Sequence, residues 1–328
     1  MRPSGAAWPR AQKYGEFIFV TSVRARLINA VLRLREKPRL ATCGTPLDAR
    51  KVFEAAWFPA PLGVRFTPDA LGGVPGEWAE AQAKSPSRAT LFYLHGGGYI
   101  GMSAATHRNL TGAFARRGFR VFAADYRLAP EHPFPAAVED AAAAWRALRK
   151  RVDGPAHVAG DSAGGGLALA LMMALRDQGE RGPDAACLFS PWTDLAATGD
   201  SVRTNAERDP LIVASGLTTI AAAYLGGADP RTPLASPLYG NFAGLPPLLF
   251  FVGDTEVLLD DSRQAAERAN AAGVRVKLRV APDMPHVWPF MHRLIPEARR
   301  AIDEAAAFLL GVAECAASPA LKAVPAKG

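Results

Sequence analysis

Long apolar runs are missing from this chain of 328 residues: none approaches the roughly 20 residues that a membrane-spanning helix requires. Nor does the N-terminus show the charged, apolar and small-residue order of a secretory signal, so a cytoplasmic protein is the expectation. Cysteine is scarce. Cys43, Cys187 and Cys315 stand far apart without metal-ligand spacing, which argues against a disulfide framework or a thiolate metal site and leaves buried thiols in a reducing compartment as the expectation. Charged residues make up only 21% and apolar ones 49%, which excludes a charge-rich disordered chain and allows a sizeable core.

The net charge of +7 is unevenly placed: residues 1–51 hold eleven Lys and Arg against three acids, so the rest of the chain is close to neutral. Such a basic segment suits nucleic acid when it forms an exposed patch. Here the cations alternate with Val20, Val23, Leu27, Val31 and Leu34 at helical spacing, and no nucleic-acid partner is expected. The pattern predicts an amphipathic helix packed by its apolar face, its basic face solvated; weak binding of an anionic lipid surface is the other reading.

From residue 89 onward short apolar runs alternate with helical patterns, the signature of an α/β fold with a mostly parallel central sheet and helices on both faces. Strands are predicted at Ala89–Leu94, Arg120–Ala124, Ala156–Ala159, Ala185–Phe189, Pro247–Val252 and Val274–Val280, preceded by an antiparallel pair at Gly63–Thr67 and Val74–Ala81. Helices are predicted at about Thr106–Arg117, Ala136–Lys150, Leu167–Asp177, Asp260–Ala272 and Pro296–Leu310. The alternation lapses between Leu195 and Asn241, read as an insertion above the strand ends around one helix at Ala214–Leu225.

Two glycine-bearing motifs carry the chemistry. Gly160-Asp161-Ser162-Ala163-Gly164 matches G-x-S-x-G between a strand and a helix, the setting of a nucleophile elbow, where small flanking residues let the backbone turn sharply beneath the Ser162 hydroxyl. The bare pattern arises by chance in about one chain of this length in ten or twenty; the strand–turn–helix setting removes most of those accidents. A tight turn that only packs, or that binds phosphate, is the other reading of the same residues. His95-Gly96-Gly97-Gly98 ends an earlier strand. Backbone N–H groups of Gly96, Gly97 and Gly98, with that of Ala163, could form an oxyanion hole, with His95 and Asp161 as supporting residues. A general base must follow in the chain order Ser, acid, His. Only His286 and His292 lie after the serine; His286, in the loop after the last predicted strand, is the candidate base, and His292 is read as a surface or packing residue.

Together with Asp125–Asp140, Ser190-Pro-Trp-Thr-Asp and Ala235-Ser-Pro-Leu, these motifs resemble the hormone-sensitive-lipase-like family of α/β-hydrolases, the bacterial family IV esterases and lipases. The likeness covers roughly residues 60–312. It implies an α/β-hydrolase fold and a carboxylesterase acting on short- to medium-chain acyl esters through an acyl-enzyme, with lactonase or amidase/deacetylase activity, or more remotely a non-catalytic ligand-binding protein, as alternatives. It also implies cap helices at residues 1–55 and a catalytic domain at 56–312 with a cap insertion near 195–240; the tail at 313–328, rich in Ala, Pro and Lys, is expected to be disordered by its composition. No metal or organic cofactor is implied, the partner is a small-molecule ester, and the chain may be read as a monomer or a homodimer. The family commonly places its acid as Asp in Asp-Pro-Leu-x-Asp, whereas here the aligned stretch is Glu256-Val-Leu-Leu-Asp260. Glu256 is therefore the expected triad acid, by register with Asp260 and by the reach of its longer side chain. Asp254, just past the same strand, is the alternative and otherwise a turn former.

Overall fold

A computed structural model of the chain describes residues 21–55, 58–82 and 89–317. An antiparallel pair, β1 (Val64–Leu71) and β2 (Val74–Ala81), precedes β3 (Ala89–Leu94), β4 (Phe119–Ala124), β5 (Ala156–Asp161), β6 (Ala186–Phe189), β7 (Leu248–Gly253) and β8 (Val276–Ala281). All eight join one sheet in the order β1-β2-β4-β3-β5-β6-β7-β8. The strands from β4 to β8 in that order run parallel, and β2 meets β4 antiparallel.

Every residue of β3, β5, β6 and β7 is buried, as expected of parallel strands covered on both faces. Their side chains alternate between two cores. Phe92 and Leu94 enter one core with Trp145 and Leu167, whereas Leu91 and Tyr93 enter the other with Phe114 and Ile302. Four N-terminal helical pieces come first: α1 (Val23–Val31), which runs through a π-helical turn (Leu32–Glu36) into α2 (Lys37–Ala41), and α3 (Pro46–Ala55). The covering helices are α4 (Arg108–Ala115), α5 (Ala136–Arg151), α6 (Ala163–Asp177), and, after α7 (Ser201–Thr204) and α8 (Ala214–Leu225) of the insertion, α9 (Leu259–Ala271) and α10 (Pro296–Ala317). Among the described residues no helix is long and apolar enough to cross a membrane.

Besides β1, which runs four residues past its expected end at Thr67, three boundaries or faces differ from expectation. Helix α6 begins at Ala163, four residues before Leu167, because Gly164–Gly166 press against neighbouring backbone where no side chain would fit, and close packing outweighs the low helix propensity of glycine. Helix α10 continues to Ala317, so residues 313–317 of the expected tail are helical; residues 318–328 lie outside the described set. The face of α1 is also reversed: Ala25 is buried, whereas Val23, Leu27, Val31 and Leu34 are 71%, 62%, 51% and 78% exposed. Ala25, Ile28 and Leu32 pack inward instead, and polar anchors fix this orientation. The Ser22 hydroxyl caps the Ala25 N–H and donates to Glu297 of α10, and the Asn29 amide donates to the Asp283 carbonyl. Val20 lies outside the described residues.

Candidate active site

The carboxyl ends of β5, β7 and β8 converge on one crevice, the place where open parallel sheets present their functional loops. Ser162 sits between β5 and α6 at φ 51°, ψ −122°, a conformation that a non-glycine residue adopts only when its surroundings enforce it. The enforcement is steric. A Cβ on Gly164 would lie 2.1 Å from the Leu94 carbonyl oxygen, and one on Gly160 2.3 Å from that of Gly164.

The structure brings Ser162, His286 and Glu256 into one line. Ser162 Oγ lies 2.9 Å from His286 Nε2, and His286 Nδ1 lies 2.8 Å from Glu256 Oε2. A ring protonated on Nδ1 donates to the carboxylate and leaves Nε2 to accept the serine proton. Glu256 Oε1 accepts from the Gly253 N–H at 2.5 Å and from the Ser190 hydroxyl at 2.8 Å. Burial pushes the Glu256 carboxyl up. Burial would pull the His286 ring down, but its hydrogen bond to Glu256 and that group's charge outweigh it, so His286 stands above its ordinary value. Asp254 is turned away: its carboxylate accepts the Asp283 N–H at 2.8 Å and lies 3.8 Å from Arg208. Asp260 accepts from the Ser201 N–H.

Of the four expected oxyanion donors, Gly96 does not join the others. Its N–H points to Asp161 Oδ1 at 3.2 Å, which also receives the Tyr93 hydroxyl at 2.7 Å and lies 3.1 Å from His107 Nε2. The sequence shows three glycines but not which N–H the buried Asp161 claims. Burial raises the Asp161 carboxyl, but the charge and hydrogen bonds of His107 and Tyr93 outweigh it and hold the carboxyl below its ordinary value. The N–H groups of Gly97, Gly98 and Ala163 have no acceptor among the described residues and lie beside Ser162. His95 is buried, stacked on Tyr126, with Nδ1 2.7 Å from the Gly96 carbonyl oxygen. Burial and the neighbouring His107 pull it down to about 3, so the ring is neutral and can donate to that carbonyl. His292 is buried on Asn109, 3.1 Å from its carbonyl oxygen: a packing residue rather than a surface one.

Several supporting residues carried no signal of their own in the sequence. Ser190, at φ 46°, donates to Glu256 while its Oγ accepts the N–H of Val287, the neighbour of His286. Asn205 donates to the carbonyls of Asp254 and Glu256, and Asp209 accepts the Val257 N–H. Asp261, which burial pushes up to about 8, accepts the N–H groups of Thr193 and Asp194 and so fixes the loop that follows Ser190. Only the Ser190-Pro-Trp-Thr-Asp motif pointed toward any of them.

A cavity of about 560 Å³ opens over Ser162 and His286, lined by Leu40 and Phe53 of the N-terminal helices, Ile212 and Leu217 of the insertion, and Phe290. Cys43 also lines it and is only half-buried, unlike Cys187; the Cys315 side chain lies outside the described set. The cavity wall is mostly apolar, with Ser162 and His286 among its polar groups. No cluster of three or more His, Cys, Asp or Glu able to hold a metal occurs among the described residues.

A model of the α/β-hydrolase-fold family matches residues 91–290. An acetyl-hydrolase of Streptomyces hygroscopicus is 48% identical over 242 residues, 73% of this chain and 80% of its own. Two solved structures superpose closely. EstE5, in a crystal soaked with ethyl alcohol, gives a TM-score of 0.85 at 40% identity over 89% of this chain and 99% of that one. An esterase from the bacterial hormone-sensitive lipase family gives 0.83 at 43% identity over 89% and 98%.

Proposed function

Because the chain belongs to the hormone-sensitive-lipase-like esterases of the α/β-hydrolase fold and is a hydrolase of ester bonds, we propose that it is a carboxylesterase for short- to medium-chain acyl esters, working through a Ser162–His286–Glu256 triad. The observation that carries this reading is the unbroken line from Ser162 Oγ through His286 to Glu256, at 2.9 and 2.8 Å, beside three open backbone N–H groups.

Ser162 Oγ attacks the ester carbonyl carbon as His286 Nε2 takes its proton, and the carbonyl oxygen becomes an oxyanion. Gly97, Gly98 and Ala163 donate to that oxyanion, an interaction worth about a hundredfold or more in rate for each donor. His286 then protonates the departing alkoxide, leaving an acyl-Ser162 ester. Water, deprotonated by the same ring, releases the acid. Glu256 holds the ring with Nδ1 protonated and stabilises the imidazolium. The chain's own groups handle every proton and charge in this cycle.

The described N-terminal helices and the insertion near 195–240 form the cap, and the apolar side chains they contribute to the cavity select the acyl chain. A relative named acetyl-hydrolase agrees with a small acyl group. The test is hydrolysis across p-nitrophenyl esters of rising chain length, lactones and anilides, beside Ser162→Ala. Ester turnover that fades with long chains and vanishes in the alanine variant is expected, with a fluorophosphonate probe labelling Ser162 alone. Near wild-type turnover by the variant would end the serine mechanism, and faster turnover of anilides or lactones would move the substrate class.

A further inference from the structure

We propose that the outward face of α1 docks the protein on an anionic lipid surface, with the mouth of the substrate cavity beside the contact. The inference rests on the ester-hydrolase reading for its purpose but not for its evidence. Scattered exposed apolar residues are ordinary. Here Val23, Leu27, Val31 and Leu34 recur at intervals of four, four and three and are all more than half exposed, so they form one stripe along the helix. The opposite side is already taken, by buried Ala25 and by the contacts of Ser22 and Asn29 to Glu297 and Asp283.

Charge identifies the occupant. Between Val23 and Ala41 stand six Lys and Arg and one acid, Glu36, which is paired with Arg39. About a quarter of a helical turn to either side of the stripe lie Arg24 and Arg35 on one flank and Arg26 on the other, none with an acidic partner among the described residues. An apolar stripe between arginines is the arrangement of a helix lying in a lipid interface, its apolar side among acyl chains and its guanidinium groups at anionic headgroups. A second copy of the chain would instead bring two sets of arginines together.

Position gives the contact its use. Val31 belongs both to the stripe and to the cavity lining, next to Leu32, so an ester dissolved in the lipid need travel only past these side chains to reach the cavity.

The test is co-sedimentation of the full chain with vesicles of phosphatidylcholine alone or mixed with phosphatidylserine, at low and high salt. Binding is expected to the mixed vesicles at low salt and to weaken as salt screens the headgroups. Each of Arg24→Gln, Arg26→Gln and Arg35→Gln should weaken it about fivefold, and Val23→Glu with Leu27→Glu and Leu34→Glu should abolish it, with turnover of a water-soluble acetate ester unchanged. An active protein that ignores mixed vesicles overturns this inference while leaving the esterase reading intact. So does a triple-Glu variant that binds like wild type, or a wild-type dimer in analytical ultracentrifugation that the triple variant dissociates.

Discussion

Replacing Glu256 by Gln removes one charge and almost no volume, so its effect is set by which way the amide turns. Oε1 accepts the Gly253 N–H at 2.5 Å, a donor fixed in the backbone that cannot become an acceptor. Ser190 also donates to Oε1, since an ionised carboxylate can only accept. The Gln oxygen must therefore stay at the Oε1 position, which places the NH2 group at the Oε2 position, facing His286 Nδ1. Nδ1 then has to accept, the ring proton moves to Nε2, and Nε2 meets Ser162 as a donor that cannot take the serine proton. Inverting the tautomer in this way costs on the order of ten-thousandfold in turnover in a serine triad. Asp254→Asn removes a carboxylate that holds only the Asp283 N–H and a distant arginine, and should stay within a few-fold of wild type. The measurement is kcat on a p-nitrophenyl ester for both variants, with thermal melts to establish folding. A folded Gln variant within about tenfold of wild type, beside a collapsed Asn variant, would refute the assignment and move the acid to Asp254.

Two further perturbations read the same machinery. His286 must be neutral to act as base and stands above its ordinary value of 6.5, so kcat/KM should rise with pH through a midpoint above 6.5, and Glu256→Gln should bring the midpoint of its residual activity down; a wild-type midpoint below 6.5 contradicts the burial and pairing described. Ser190→Ala leaves the Val287 N–H without its acceptor and Glu256 without one donor, each a buried loss of about 1–3 kcal/mol, so kcat should fall at least about tenfold with KM little changed and the acid limb displaced; a lowered melting temperature with unchanged kcat and pH profile would reduce Ser190 to a packing residue.

The centre of the sheet was legible because β3, β5, β6 and β7, buried on both faces, read as short apolar runs, and each intervening helix carried its own period. Ser162 was legible for a related reason: backbone contacts near 2 Å allow only glycine at positions 160 and 164, so the geometry leaves its mark in composition. His286 followed from chain order. The polar supports left no such mark. Ser190, Asn205 and Asp209 gain their meaning only where loops from separate strands meet, and serine, asparagine or aspartate in a loop satisfies nearby backbone far more often than distant backbone. The α1 stripe was legible as a period but not as a direction, since periodicity gives the angle between residues and says nothing of what the face meets. Ser22 and Asn29, together with Ala25, Ile28 and Leu32 packed inward, settle the direction.

Those loop contacts also change what the N-terminal helices do. Arg33 donates to the Glu207 and Arg208 carbonyls, and Lys37 donates to those of Ala206 and Asp209 at 2.7 and 2.8 Å. The segment they grip sends Asn205 to the Glu256 carbonyl at 2.8 Å and the Asp209 carboxylate to the Val257 N–H at 2.9 Å. Glu256 and Val257 are fully buried, so without that segment a backbone carbonyl and an N–H on either side of the Glu256 side chain would lack partners, at a cost comparable to the hydrogen bonds themselves. Arg33 and Lys37 of the N-terminal helices thus hold the loop that holds Glu256. The N-terminal helices that line the cavity and the backbone around Glu256 share one set of hydrogen bonds, so under the proposed triad a change in those helices would reach the orientation of His286 as well.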